Sequence, residues 1–118
     1  MQHGGYPGSC YFIPGRKNHE IGMPNWGKVD NKDWNTKYEA TEKGWVYAQC
    51  KCYSCNSSSS NNAPGLLIVN GVVIIIAKNN NGAYDNASVF IPVAKGDTYN
   101  AIGGYSDQSI SFFPCLDK

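Results

Sequence analysis

Leu66-Leu67-Ile68-Val69-Asn70-Gly71-Val72-Val73-Ile74-Ile75-Ile76-Ala77 is the stretch on which the fold turns. Asn-Gly stands between two apolar runs rich in β-branched residues. Both residues tolerate the positive φ of a type I′ turn, so the stretch predicts a β-hairpin. The two runs are apolar at nearly every position, whereas an antiparallel strand with one wet face alternates. Both faces of the hairpin are therefore expected to be covered. A small sandwich has one interior, so the second face is expected to meet another subunit, or else the N-terminal leader folded back over it.

Strand signals continue on both sides. Upstream, Gly44-Trp45-Val46-Tyr47-Ala48-Gln49-Cys50-Lys51 is rich in aromatic and β-branched residues. As a strand it places Val46, Ala48 and Cys50 on one face and Trp45, Tyr47 and Gln49 on the other. A short strand is expected at 37–40. The polar run 57–62 reads as a loop closed by Pro64-Gly65. Downstream, 88–93 reads as a strand whose Pro92 places it at a sheet edge or bulge. Lys95-Gly96-Asp97 reads as a β-turn, and strands follow at 98–102 and 109–113. No ten-residue stretch keeps a helical period with caps. About seven short strands separated by turns predict an all-β fold, an antiparallel sandwich or barrel. Residues 1–23 read as an irregular leader and 24–118 as the β-sandwich domain, because Gly and Pro interrupt every early run.

Composition narrows the function. The chain has 118 residues, enough for one domain. Only 16% are charged and the net charge is +1, with a single arginine, Arg16. That excludes a charged disordered tail and gives no electrostatic footprint for nucleic acid. The longest apolar run, Val72 to Ala77, is too short to cross a membrane as a helix. The first residues lack the basic start and apolar stretch of a secretory signal.

Five cysteines, Cys10, Cys50, Cys52, Cys55 and Cys115, fit a secreted disulfide scaffold poorly. Cys52 and Cys55 have zinc-ligand spacing, but a second ligand pair is missing. Free thiols or a local disulfide are expected, with no metal and no cofactor. The two histidines, His3 and His19, lie far from any nucleophile-like serine, and no catalytic motif occurs. The carboxylate pairs Asp30/Asp33 and Glu39/Glu42 sit on polar stretches and read as solvated surface rather than as glycosidase pairs.

Four segments occur together in order: Gly44-Trp45-Val46-Tyr47, Leu67-Ile68-Val69-Asn70-Gly71-Val72, Phe90-Ile91-Pro92-Val93-Ala94-Lys95-Gly96-Asp97-Thr98, and Phe112-Phe113-Pro114. In this the chain resembles the C-terminal head domains of bacteriophage and prophage tail fibres, over roughly residues 24–115. The Pro-Val-x-Lys-Gly-Asp element is the most specific part, and Trp26-Gly27-Lys28 is similar to the family's opening strand. The resemblance implies a β-sandwich or jelly-roll head, homotrimeric, at the tip of a fibre and joined to its shaft. Its implied work is attachment to a bacterial surface receptor, often a glycan, without catalysis. The expected location is the virion, after synthesis in the host cytoplasm. No contact with nucleic acid and no insertion into membrane is expected. Two rivals are a bacterial carbohydrate-binding or adhesin-like sandwich with no phage role, and a small glycan hydrolase.

Sugar sites combine an aromatic ring with amide or carboxylate groups, and binding residues favour loops on a rigid scaffold. Segments 79–86 and 103–108 have that composition. Asn80, Tyr84, Asp85, Tyr105 and Asp107 are therefore the expected ligand-binding residues, with Tyr84 or Tyr105 as the platform.

Overall fold

The computed structural model describes residues 9–10, 22–53, 63–78 and 84–116, with the side chains of 9, 10, 53, 84 and 85 outside that description. These residues form nine strands: β1 (Ser9–Cys10), β2 (Asp30–Lys32), β3 (Tyr38–Glu39), β4 (Gly44–Tyr53), β5 (Gly65–Val69), β6 (Val72–Ala77), β7 (Tyr84–Val93), β8 (Thr98–Ile102) and β9 (Ser106–Pro114). They build a two-sheet β-sandwich. One sheet runs β1-β7-β4-β9-β2 and the other β3-β8-β5-β6. Every pairing is antiparallel except β1 with β7.

The pairings nest around the predicted hairpin. β5 pairs with β6, β4 with β7, β3 with β8 and β2 with β9. At the centre Asn70 and Gly71 take φ values of 51° and 80°, as a type I′ turn requires. The core lies between the sheets. Val46, Ala48, Cys50 and Cys52 of β4 face Leu67, Val69, Ile74 and Ile76 of the hairpin in one buried cluster, with Val89, Ile91, Tyr99 and Ile110.

The Pro-Val-Ala-Lys-Gly-Asp element ends β7 and forms the expected turn. Asp97 is 7% exposed. Its carboxylate accepts the Ala94 N–H at 2.8 Å and the Asn70 side-chain amide at 3.0 Å. Asn70 Oδ1 in turn accepts the Thr98 N–H at 2.9 Å. This motif thus staples the hairpin turn to the β7–β8 turn. Pro92 is buried on β7 beyond the end of the two-residue β1 and is in register with Trp45 of β4 on the other side.

The structure corrects several expectations. Among the described residues of one chain, none covers the second face of the hairpin. Val73 is 56% exposed and Ile75 47%, on the face opposite the core. Within the leader, Ser9–Cys10 pairs with β7 in the other sheet, away from that face. A two-residue strand is too short to leave a pattern in the sequence. Trp26-Gly27-Lys28 is a turn rather than a strand: the Gly27 N–H donates to the Asn25 side chain and the Lys28 N–H to the Asn25 carbonyl. The paired stretch follows at β2. Strand β4 continues past Lys51 to Tyr53. The cysteines fall within the expected states: Cys52 is disulfide-bonded, and Cys50 and Cys115 are free thiols. The expected loop 57–62 lies outside the described residues.

Candidate functional site

The outer face of the five-stranded sheet has two halves, both set by the alternation of β4. Toward Gly44, Trp45 and Phe90 stack at 4.8 Å, and Trp26 stacks on Phe90 at 5.3 Å. Phe113 meets Trp26 edge-on. The Trp45 indole N–H donates to the Gly22 carbonyl at 2.7 Å, which satisfies its polar atom under cover. This half is closed: Trp45 is 2% exposed and Phe90 0%.

Toward Tyr53 the same face becomes polar. Gln49 pairs in register with Ser88 on one side and Ser109 on the other. Directly opposed residues share a face, so Ser88, Gln49 and Ser109 form one row across three strands. The next row holds Asn86, Lys51 and Ser106. Between these rows the β4–β9 register shifts. β9 spends Asp107 and Gln108 where β4 spends only Cys50, and Asp107 takes a left-handed φ of 54°. Such a bulge bends the strand and re-aims its side chains.

The result is an open cleft of about 610 Å³ lined by Gln49, Asn86, Ser88, Asp107, Gln108 and Ser109, with Cys50 and Ala87 in its floor. Its volume falls within the ~300–1,000 Å³ typical of small-ligand sites. The Tyr47 hydroxyl donates to Gln49 Oε1 at 2.9 Å and orients that amide. Gln108 donates to the Gly103 carbonyl at 3.1 Å. Lys51 pairs with Asp107 at 3.3 Å on the rim. Burial pushes the Cys50 thiol up to about 11, so it is protonated at neutral pH and offers no nucleophile.

The expected ligand-binding residues distribute unevenly around this cleft. Asp107 lines it, but on strand β9 rather than at a loop tip. Tyr105 is 43% exposed in the preceding connection, and its N–H donates to the Lys51 carbonyl at 2.8 Å. Tyr84 and Asp85 belong to the start of β7, opposite Tyr53 and Cys52, so the expected loop 79–86 ends sooner than its composition implies. Their side chains, and Asn80 altogether, lie outside the described residues. Gln49, Ser88 and Ser109 were not singled out by composition. The outward alternation of Tyr47, Gln49 and Lys51 was their one signal, and it needs the register of three strands to become a site.

The carboxylates Asp30, Glu39 and Glu42 gather instead at the open edge between the sheets. Asp30 pairs there with Lys32 at 2.9 Å, and Lys32 lies 4.8 Å over the Tyr38 ring. Comparison with protein-family models, curated proteins and solved structures finds no match for this chain.

Proposed function

We propose that this chain is the receptor-binding head of a phage or prophage tail fibre. It acts without catalysis or cofactor, as a homotrimer at the fibre tip of the virion, and its receptor is a bacterial surface glycan. The carrying observation is the exposed apolar face of the hairpin. Leu66 pairs with Ile75 and Ile68 with Val73, so these four side chains share the outer face of β5–β6. β6 is also the last strand of its sheet and carries neither charge nor proline, the usual devices that blunt an edge. A neighbouring subunit on this face supplies the cover that the described residues of one chain do not. The nested strand pairing supports the jelly-roll form, and the ordered segments from Gly44 to Pro114 support the fibre-head resemblance.

Light scattering joined to a cell-adhesion assay tests this. The expected result is a particle of three times 12.9 kDa that adheres to host cells. A 12.9 kDa particle at micromolar concentration that adheres to no bacterium refutes it. The polar cleft equally suits a carbohydrate-binding or adhesin-like module with no phage role, and a monomer that still binds glycans selects that second reading.

A further inference from the structure

We infer that the cleft over β7, β4 and β9 is a binding site for an uncharged polyhydroxylated ligand, a neutral glycan unit laid across the strands on the sheet face rather than held at the loop tips. This rests on the attachment function only for the origin of the ligand.

Three observations carry it. First, the groups are regularly spaced on rigid backbone. Ser88, Gln49 and Ser109 stand on adjacent strands, which lie about 4.8 Å apart. Sites on strands hold their geometry better than sites on loops. Second, the chemistry is that of hydroxyl recognition. Amides and hydroxyls each supply both donors and acceptors, as a sugar hydroxyl needs. Among the described residues, Gln49 spends its carbonyl oxygen on Tyr47, and no protein partner takes its amide nitrogen. Asn86, Ser88 and Ser109 make no side-chain hydrogen bond to another described residue. Third, the charged pair at the rim, Lys51 with Asp107, is mutually neutralising. Among the described residues, the one cation beside the cleft, Lys51, is already paired with Asp107, so none is dedicated to an acidic sugar.

The bulge makes the cleft. Asp107 holds a left-handed backbone, which aspartate adopts more readily than most non-glycine residues. Here it turns Asp107 to Lys51 and opens the floor beside Gln108.

The test is an array of purified bacterial polysaccharides and oligosaccharides, neutral and acidic, probed with the whole chain. The parent is expected to bind neutral members. Ser109→Trp, which fills the cleft from an exposed position, and Gln49→Ala are each expected to weaken binding by at least about tenfold, or 1.4 kcal/mol. Thr41→Ala, remote from the cleft, leaves binding unchanged. Circular dichroism checks the fold, and Gln49→Ala decides the matter should the tryptophan disturb it. Binding confined to acidic members, no glycan binding at all, or parent-like binding by a folded cleft variant overturns the inference. Host-cell adhesion is measured in parallel. Adhesion that ignores the cleft variants overturns this site and leaves the attachment head standing. Cleft-dependent glycan binding without adhesion does the reverse.

Discussion

Exchanging the two polar side chains that staple the central turns is expected to reveal a large coupling. Asp97 accepts from the Ala94 N–H and from the Asn70 amide, while Asn70 accepts from the Thr98 N–H. In Asp97→Asn, one way of turning the new amide sets its NH₂ against the Ala94 N–H. The other sets it against the Asn70 NH₂, and turning Asn70 as well moves the conflict to the Thr98 N–H. A lost hydrogen bond to a charged group and an unmatched buried donor together cost about 3 kcal/mol. Near 4 °C per kcal/mol, the melting temperature falls by roughly 10 °C. Asn70→Asp alone sets two carboxylates face to face and is expected to cost about as much. The double exchange restores these three matches. The carboxylate at position 70 then accepts from the Thr98 N–H and from the new amide at position 97, whose oxygen accepts from Ala94. The left-handed backbone at position 70, with φ 51°, tolerates aspartate nearly as well as asparagine. The double variant should lie within about 1 kcal/mol of the parent, a coupling of several kcal/mol against the few tenths seen for independent sites. Urea midpoints followed by tryptophan fluorescence, at unchanged slope, measure this. Additive losses would refute the staple.

Ile75→Lys should abolish assembly and leave the subunit folded, because its side chain is nearly half exposed on the outer face. Sedimentation would show the 12.9 kDa particle with a melting temperature close to that of a dilute parent subunit. Gly65→Ala should destabilise by about 1–3 kcal/mol, because its new methyl would run into Cys50 Sγ; Cys50→Ala in the same chain should recover much of the loss, which denaturation midpoints will show. Alkaline pH should weaken the fold. Burial lifts Cys50 from 9.0 to about 11 and Tyr99 from 10.0 to about 12. The folded chain therefore holds these protons after the unfolded chain has released them, and stability falls as pH rises from about 9 towards 12. A flat stability profile over that range would contradict the burial of both groups. Thiol labelling at pH 8 should reach the half-exposed Cys115 well before Cys50.

Local chemistry alone determined much of this protein. Asn70-Gly71 marked the hairpin because few dipeptides accept two positive φ values. The β-branched and aromatic runs marked β4 to β9 because a side-chain period of two is written along the chain itself. Lys95-Gly96-Asp97 marked its turn for the same local reason. Tertiary structure decided what depends on partners far away in sequence. The apolar run 72–77 could not tell which of its faces lay inside, and only packing against β4 and β7 buried Ile74 and Ile76 and left Val73 and Ile75 outside. The buried role of Asp97 depended on Asn70, 27 residues away. The cleft depended on three strands meeting in register and on a bulge at Asp107 that no local propensity requires. Gln49, Ser88 and Ser109 are ordinary surface residues in sequence. They become a row only because β7 and β9 both pair with β4, and strand pairing at that range is set by burial of the opposite face.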